Sequence, residues 1–170
     1  GVKYYLCGTK WETTLCCSYC VLVSKPMLIG EYKHTLDDKK RLSLPVKFRQ
    51  ELGKKIVVTR GLEGCLFVYS QKEWNLIAQQ LGNLGMGQQS TRGFARFMLA
   101  GASEVDVDSS GRILIPDFLK DFAELKNKVV FAGVQTRVEI WNERSWDAYT
   151  RRIEKEADVL AEQLGGIGAI

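Results

Sequence analysis

The chain has 170 residues, 45% of them hydrophobic, with a formal net charge of +4. It is long and apolar enough to bury a core, which excludes a disordered segment, and its overall charge is too small to specify a partner. His34 is the only histidine, so no Ser/His/Asp or Cys/His set assembles, and neither G-x-x-x-x-G-K-[ST] nor G-x-G-x-x-G occurs; no catalytic residue, cofactor or enzymatic activity is expected.

Four of the five cysteines (Cys7, Cys16, Cys17, Cys20) lie in the first 20 residues. Cys17-Ser18-Tyr19-Cys20 has metal or redox spacing, but no second C-x-x-C pair or nearby histidine accompanies it, so zinc is the lesser reading and no metal site is assigned. Residues 1–26 show no periodicity and no small-x-small cleavage site, and they read as an extension upstream of Met27, where a coherent pattern begins. Cys65, alone in the body, is expected to be a small buried hydrophobe in a reducing cytoplasm.

Leu28 to Leu36 reads as a first strand, and Leu42-Ser43-Leu44 has the two-residue alternation of a half-buried strand. Asp37 to Lys40 must turn the chain between them. Pro45 suits a helix start and Gly53 its stop, with Val46, Phe48 and Leu52 as the apolar positions. The spacing predicts strands at Lys55–Val58 and Leu66–Tyr69, then a helix from Ser70 to Leu81 containing Trp74. A glycine-rich hinge (Gly82, Gly85, Gly87) precedes a second helix, capped by Ser90 and running to Gly101, with Phe94, Phe97 and Met98 on one face and Arg92 and Arg96 on the other.

From Val105 the pattern starts again. Leu36-Asp37-Asp38-Lys39-Lys40-Arg41-Leu42-Ser43-Leu44-Pro45 returns 71 residues later as Val107-Asp108-Ser109-Ser110-Gly111-Arg112-Ile113-Leu114-Ile115-Pro116. A short apolar stretch (Phe118, Leu119, Phe122), two strands ending at Trp141 and a helix start with Trp146 follow. The C-terminal helix, from Glu143 to Leu164, offers Trp146, Tyr149, Ile153, Leu160 and Leu164 for packing, and its tail from Gly165 is expected to fray. A long period with only two copies implies two half-domains packed about a pseudo-twofold axis. The expected segments are 1–26 (extension), 27–81 (first half-domain and its helix), 82–102 (hinge and connecting helix), 103–141 (second half-domain) and 142–170 (C-terminal helix and tail).

Function is expected on the duplicated turn. Asp37 and Asp108 can accept from turn N–H groups, and Arg41 and Arg112, four residues on, can return a charge-assisted bond that holds each turn rigid. Between Glu31 and Arg60 nine Lys/Arg face four acids, whereas Glu104 to Arg137 holds five against six. The excess surrounds the first turn, as the footprint for a polyanion would. If that polyanion is a nucleic acid, as the resemblance given below implies, Arg41 is placed for a base-edge contact, because a guanidinium pairs bidentately with guanine. Lys39, Lys40 and Arg49 are placed on phosphates, and Arg112 is the weaker second tip, with Asp106, Asp108 and Asp117 around it.

D-x-x-x-R, a short strand and Pro, present twice, with Leu99-Ala100-Gly101-Ala102-Ser103-Glu104 between the copies and Trp near the end of each, resembles the MraZ family from Met27 to about Leu164. The resemblance implies an α+β fold of two AbrB-like swapped-hairpin half-domains fused in one chain with additional helices. It further implies a cytoplasmic, nucleoid-associated regulator, with no membrane role, that forms a homo-oligomeric ring of about eight subunits and binds double-stranded DNA at repeated short boxes upstream of its own operon in the division and cell wall cluster. The alternative is a ring-forming interaction protein that holds a protein partner. One departure stands out: Lys40 occupies a position where the family's first motif usually has Gly, which predicts a tighter turn in the Arg112 copy and a more basic one in the Arg41 copy.

Overall fold

The computed structural model describes residues 27–85 and 87–166; the cysteine motif lies outside them. The first copy contributes β1 (Leu28–Thr35), β2 (Arg41–Ser43), α1 (Val46–Leu52), β3 (Lys55–Arg60), β4 (Leu66–Ser70), α2 (Gln71–Gly82) and α3 (Gln89–Leu99). The second contributes β5 (Ser103–Asp106), β6 (Arg112–Leu114), α4 (Asp117–Phe122), β7 (Lys128–Gln135), β8 (Arg137–Asn142) and α5 (Glu143–Gly166).

The two copies are interleaved rather than juxtaposed. Six strands form one antiparallel sheet in the order β1-β7-β8-β4-β3-β5. β1 of the first copy therefore pairs with β7 of the second, and β5 of the second pairs with β3 of the first. A twofold between β8 and β4 relates the halves, and β2 pairs with β6 across the same axis as a separate two-stranded ribbon. This exchange of strands is the swapped-hairpin arrangement of an α+β tandem repeat.

Strand alternation divides the core between the two sheet faces. On one face Ile56, Val58, Leu66, Val68, Val129, Phe131, Val138 and Ile140 pack against the ribbon and the two short helices. The repeat is visible there in pairs 71 residues apart: Leu42 and Ile113, Leu44 and Ile115, Phe48 and Leu119, Leu52 and Ala123 are all buried. Gly53 and Glu124, likewise equivalent, both take a left-handed backbone at the end of their helices, with φ of 83° and 47°. On the other face Phe67, Tyr69, Val130, Ala132 and Trp141 meet Trp74, Ile77 and Leu81 of α2, Phe97 and Met98 of α3, and Trp146 and Tyr149 of α5.

Several local expectations change in detail. Pro45 and Pro116 occupy the cap positions immediately before α1 and α4. Ser70 caps α2, accepting from the Glu73 N–H at 3.3 Å. Ser90 does not cap α3: the chain is already helical from Gln89, which puts the Ser90 hydroxyl inside the first turn. Along α5 no residue is buried. Ile153 is half-buried and Leu160 and Leu164 are exposed, because the helix outruns the sheet that covers Trp146 and Tyr149. Gly165 and Gly166, expected to fray, are still helical. Cys65 is buried as expected, its thiol donates to the Leu62 carbonyl at 3.2 Å, and burial pushes its pKa up, which keeps it an inert hydrophobe.

Candidate nucleic-acid interface

Each duplicated motif folds into the same Asp-anchored turn. In the first, Asp37 Oδ1 accepts from the N–H groups of Lys39 (2.9 Å) and Arg41 (2.8 Å), and the Lys40 N–H donates to the Asp37 carbonyl at 2.8 Å. In the second, Asp108 Oδ1 accepts from Ser110 and Arg112 (both 2.9 Å), and the Gly111 N–H donates to the Asp108 carbonyl at 2.8 Å. The arginines close the lock from the side. Arg41 Nε and Nη2 lie 2.8 and 2.7 Å from Asp37 Oδ2, and Arg112 Nε and Nη2 both lie 2.8 Å from Asp108 Oδ2. The Arg41 backbone N–H and then its side chain hold the Asp37 carboxyl below its ordinary pKa, and Arg112 does the same for Asp108.

The second turn is not the tighter one. Lys40 adopts the left-handed conformation, φ 57°, that Gly111 adopts at φ 75°, and the hydrogen bonds match one for one. What differs is the residue packed against each turn. Strand exchange sets α1 beside the second turn, where Arg49 Nε donates to the Leu44 carbonyl (2.8 Å) and Nη1 to the Ser110 carbonyl (3.1 Å). That guanidinium occupies the space a Cβ at Gly111 would need. The equivalent of Arg49, 71 residues on, is Lys120. It is buried beside the first turn but folds back onto Asp117 at 2.7 Å, and a side chain at position 40 fits. The Gly/Lys difference between the turns thus follows the Arg/Lys difference between the clamps.

The exchange also redistributes charge. Lys40, exposed on the first turn, shares a cleft with Asp38, Asp117, Asp121 and Lys126, while Arg49 and Lys54 of the basic copy line the cleft of the second turn. Asp117, expected around Arg112, stands beside the first turn instead. The basic excess of one half of the sequence is therefore shared between the two tips.

Between the tips runs the ribbon, in register Arg41 to Leu114, Leu42 to Ile113 and Ser43 to Arg112. Leu42 and Ile113 point into the core. Alternation turns Arg41, Ser43, Arg112 and Leu114 to the opposite face, where Leu114 is 57% exposed and the others are half-exposed. Arg41 Nη1 reaches 3.9 Å from Asp108 Oδ2, so the two locks abut across the axis. Each guanidinium is held side-on by its own aspartate through Nε and Nη2, which leaves the outer hydrogen of Nη2 directed away from that aspartate, while Arg41 Nη1 faces Asp108 of the neighbouring lock.

The structure brings Arg41, Arg112, Asp37, Asp108, Lys39 and Lys40 to one ribbon and its tips. It places Arg49 beneath the second tip, clamping the halves together. Ser43 and Leu114 escaped the sequence reading, although they are equivalent positions and flank the arginines on the same strands. Among the described residues no group of His, Cys, Asp and Glu could hold a metal ion, and no helix is long and apolar enough to cross a membrane.

Fold and site together define a tandem α+β repeat whose halves exchange strands and present a two-stranded, arginine-bearing ribbon on the pseudo-twofold axis. The sequence model of the family described as "MraZ protein, putative antitoxin-like" matches residues 27–97 and 98–164, and the chain belongs to the MraZ family. The curated relative "Transcriptional regulator MraZ" of Caldanaerobacter subterraneus subsp. tengcongensis is 48% identical over 138 residues, 81% of this chain and 96% of its own. The proteins of the same name from Moorella thermoacetica (46% over 138 residues, 81% and 96%) and Caldicellulosiruptor saccharolyticus (45% over 142 residues, 84% and 99%) are similar over the same span.

Proposed function

We propose that this protein is a sequence-specific DNA-binding transcriptional regulator, working as a ring-shaped homo-oligomer on repeated short boxes upstream of its own operon in the division and cell wall cluster. The observation that carries the reading is the ribbon. A two-stranded antiparallel ribbon fits the major groove, and Arg41 and Arg112 stand on its outward face with their guanidinium groups pre-oriented by Asp37 and Asp108. Pre-orientation lowers the entropy lost on binding a base edge. Lys39, Lys40 and Lys54, exposed at the two tips, are set to meet the flanking phosphates. The name carried by the curated relatives agrees with this assignment.

One ribbon offers few phosphate contacts, so a single subunit would bind weakly. Several ribbons on one ring, matched to several boxes on one DNA, gain effective concentration without any new contact. The test is a salt titration of binding to DNA carrying the upstream region, against the same DNA with its repeats scrambled. Log affinity is expected to fall linearly with log salt for both, with the repeated DNA bound tighter throughout. Equal affinity for the two DNAs at every salt concentration would refute sequence-specific binding.

A further inference from the structure

α5 carries a single apolar stripe of Trp146, Tyr149, Ile153, Ala157, Leu160 and Leu164, at helical spacing. Its first two turns pack on the sheet, with Trp141 and Trp146 ring centroids 5.5 Å apart and Trp141 and Tyr149 5.1 Å apart. Beyond Ile153 the stripe continues for about three turns, roughly 17 Å at 1.5 Å per residue, over no part of its own chain: Leu160 and Leu164 are exposed, as is neighbouring Val159. This overhang is acidic, with Glu154, Glu156, Asp158 and Glu162 against Lys155, and helical spacing puts Glu156 at the border of the stripe.

A surface of complementary chemistry lies where β3, α3 and α4 meet. Arg60, the last residue of β3, lays its guanidinium against Phe118 and Phe122, 6.0 and 5.7 Å from the ring centroids. Phe122 meets Phe97 at 5.8 Å, and Phe97 stacks on Phe94 at 6.5 Å. Phe94 and Phe118, at the two ends of this row, are 42% and 44% exposed. Arg60 lacks a carboxylate within ion-pair distance among the described residues, and its Nε is buried without an acceptor. The guanidinium thus rests on aromatic faces without a counter-charge, which a carboxylate brought to its outer edge would supply.

We infer that the overhang of α5 docks on the Arg60–Phe94–Phe118 surface of a second copy of this chain, with Glu156 of the incoming helix meeting Arg60 and Leu160 and Leu164 covering the exposed phenylalanines. The inference rests on the ring-forming reading above and supplies its contact surfaces. Helix and acceptor surface are different parts of the chain, so the contact is head-to-tail and leaves a joined pair with one free helix and one free surface. Such contacts propagate until the rotation closes them into a ring.

The test uses the full chain in three variants, Arg60→Glu, Glu156→Arg and the two combined, with mass measured by light scattering across a dilution series. Each single change is expected to raise the concentration of half-dissociation at least about tenfold, since it opposes like charges at a desolvated contact. The double variant, which restores opposite charges in reverse order, is expected to recover most of the loss. Leu160→Asp, on a side chain that covers nothing in its own chain, should dissociate the assembly without lowering the thermal midpoint of the subunit. An assembled parent whose mass is unchanged by Glu156→Arg and Leu160→Asp would overturn the docking surface and leave the ring standing. A parent that is itself monomeric would overturn both.

Discussion

Lys40 is a lysine in a conformation that favours glycine, and replacing it with glycine should make the protein more stable while weakening its hold on DNA. Its φ of 57° matches the 75° of Gly111 in the equivalent turn, so the backbone required at position 40 is one that glycine adopts without strain. A non-glycine residue in the left-handed region carries a penalty of about 1–2 kcal/mol. Against this, glycine gives up about 0.5–1 kcal/mol through the greater freedom of the unfolded chain. Lys40 also loses a favourable field on Asp117, but both groups are exposed and the attraction is screened. The balance is a gain of about 0.5–1 kcal/mol, or roughly 1–4 °C in thermal midpoint for a chain of this size. The same substitution removes a cation from the first tip, which should lower the slope of log affinity against log salt by about 0.9 per engaged subunit. Lys39→Gly is the control: it removes the same charge from a residue outside the left-handed region, so the slope should fall without the gain in midpoint. A Lys40→Gly protein that melts below the parent would refute the view that the turn tolerates Lys40 at a cost.

Arg49→Ala should destabilise the protein by about 1–3 kcal/mol, because two charge-assisted hydrogen bonds to the Leu44 and Ser110 carbonyls are lost; chemical denaturation of parent and variant checks this. Gly111→Ala should be costly in the parent and less so with Arg49→Ala, since that guanidinium fills the space of the added methyl, and a double-mutant cycle should read a coupling of about 0.5–3 kcal/mol. Asp37 and Asp108 have carboxyl pKa values lowered by folding, so their contribution is fully present above the unfolded value of about 3.9 and is lost as pH falls through the lower folded values. Thermal midpoints should therefore drop below about pH 4, and Asp37→Asn with Asp108→Asn should flatten that limb.

Local chemistry in this chain was legible from its residues. The Asp–Arg locks, the Pro-started helices and the buried Cys65 follow from local sequence, and the duplication announced the pseudo-twofold; the cap at Ser70 did not, since the sequence pointed to Ser90 as a cap instead. Partner choice was not legible. A repeat states that two segments fold alike but not which strand lies beside which, and the pairing of β1 with β7 and β5 with β3 is what moves Arg49 and Lys54 to the second turn and Asp117 to the first. The charge asymmetry counted along the sequence is blended for that reason. Arg49 looks like a phosphate ligand from its neighbours in sequence alone; its bond to Ser110, 61 residues away, lies beyond any local pattern. The α5 stripe was read as packing throughout, since periodicity shows which residues share a face but not where the opposing surface ends.

Arg41 is expected to read sequence through a guanidinium that Asp37 holds in place. Arg41→Lys keeps the charge and an ion pair to Asp37 while losing the planar, two-pronged end that matches a guanine edge. The deciding measurement is the ratio of affinities for the repeated upstream DNA and for scrambled DNA, taken at one salt concentration for parent and variant. The ratio is expected to fall by about 10- to 100-fold, in line with about 1–3 kcal/mol per bidentate base contact, with affinity for scrambled DNA nearly unchanged. An Arg41→Lys protein that keeps the parent's ratio would contradict the assignment.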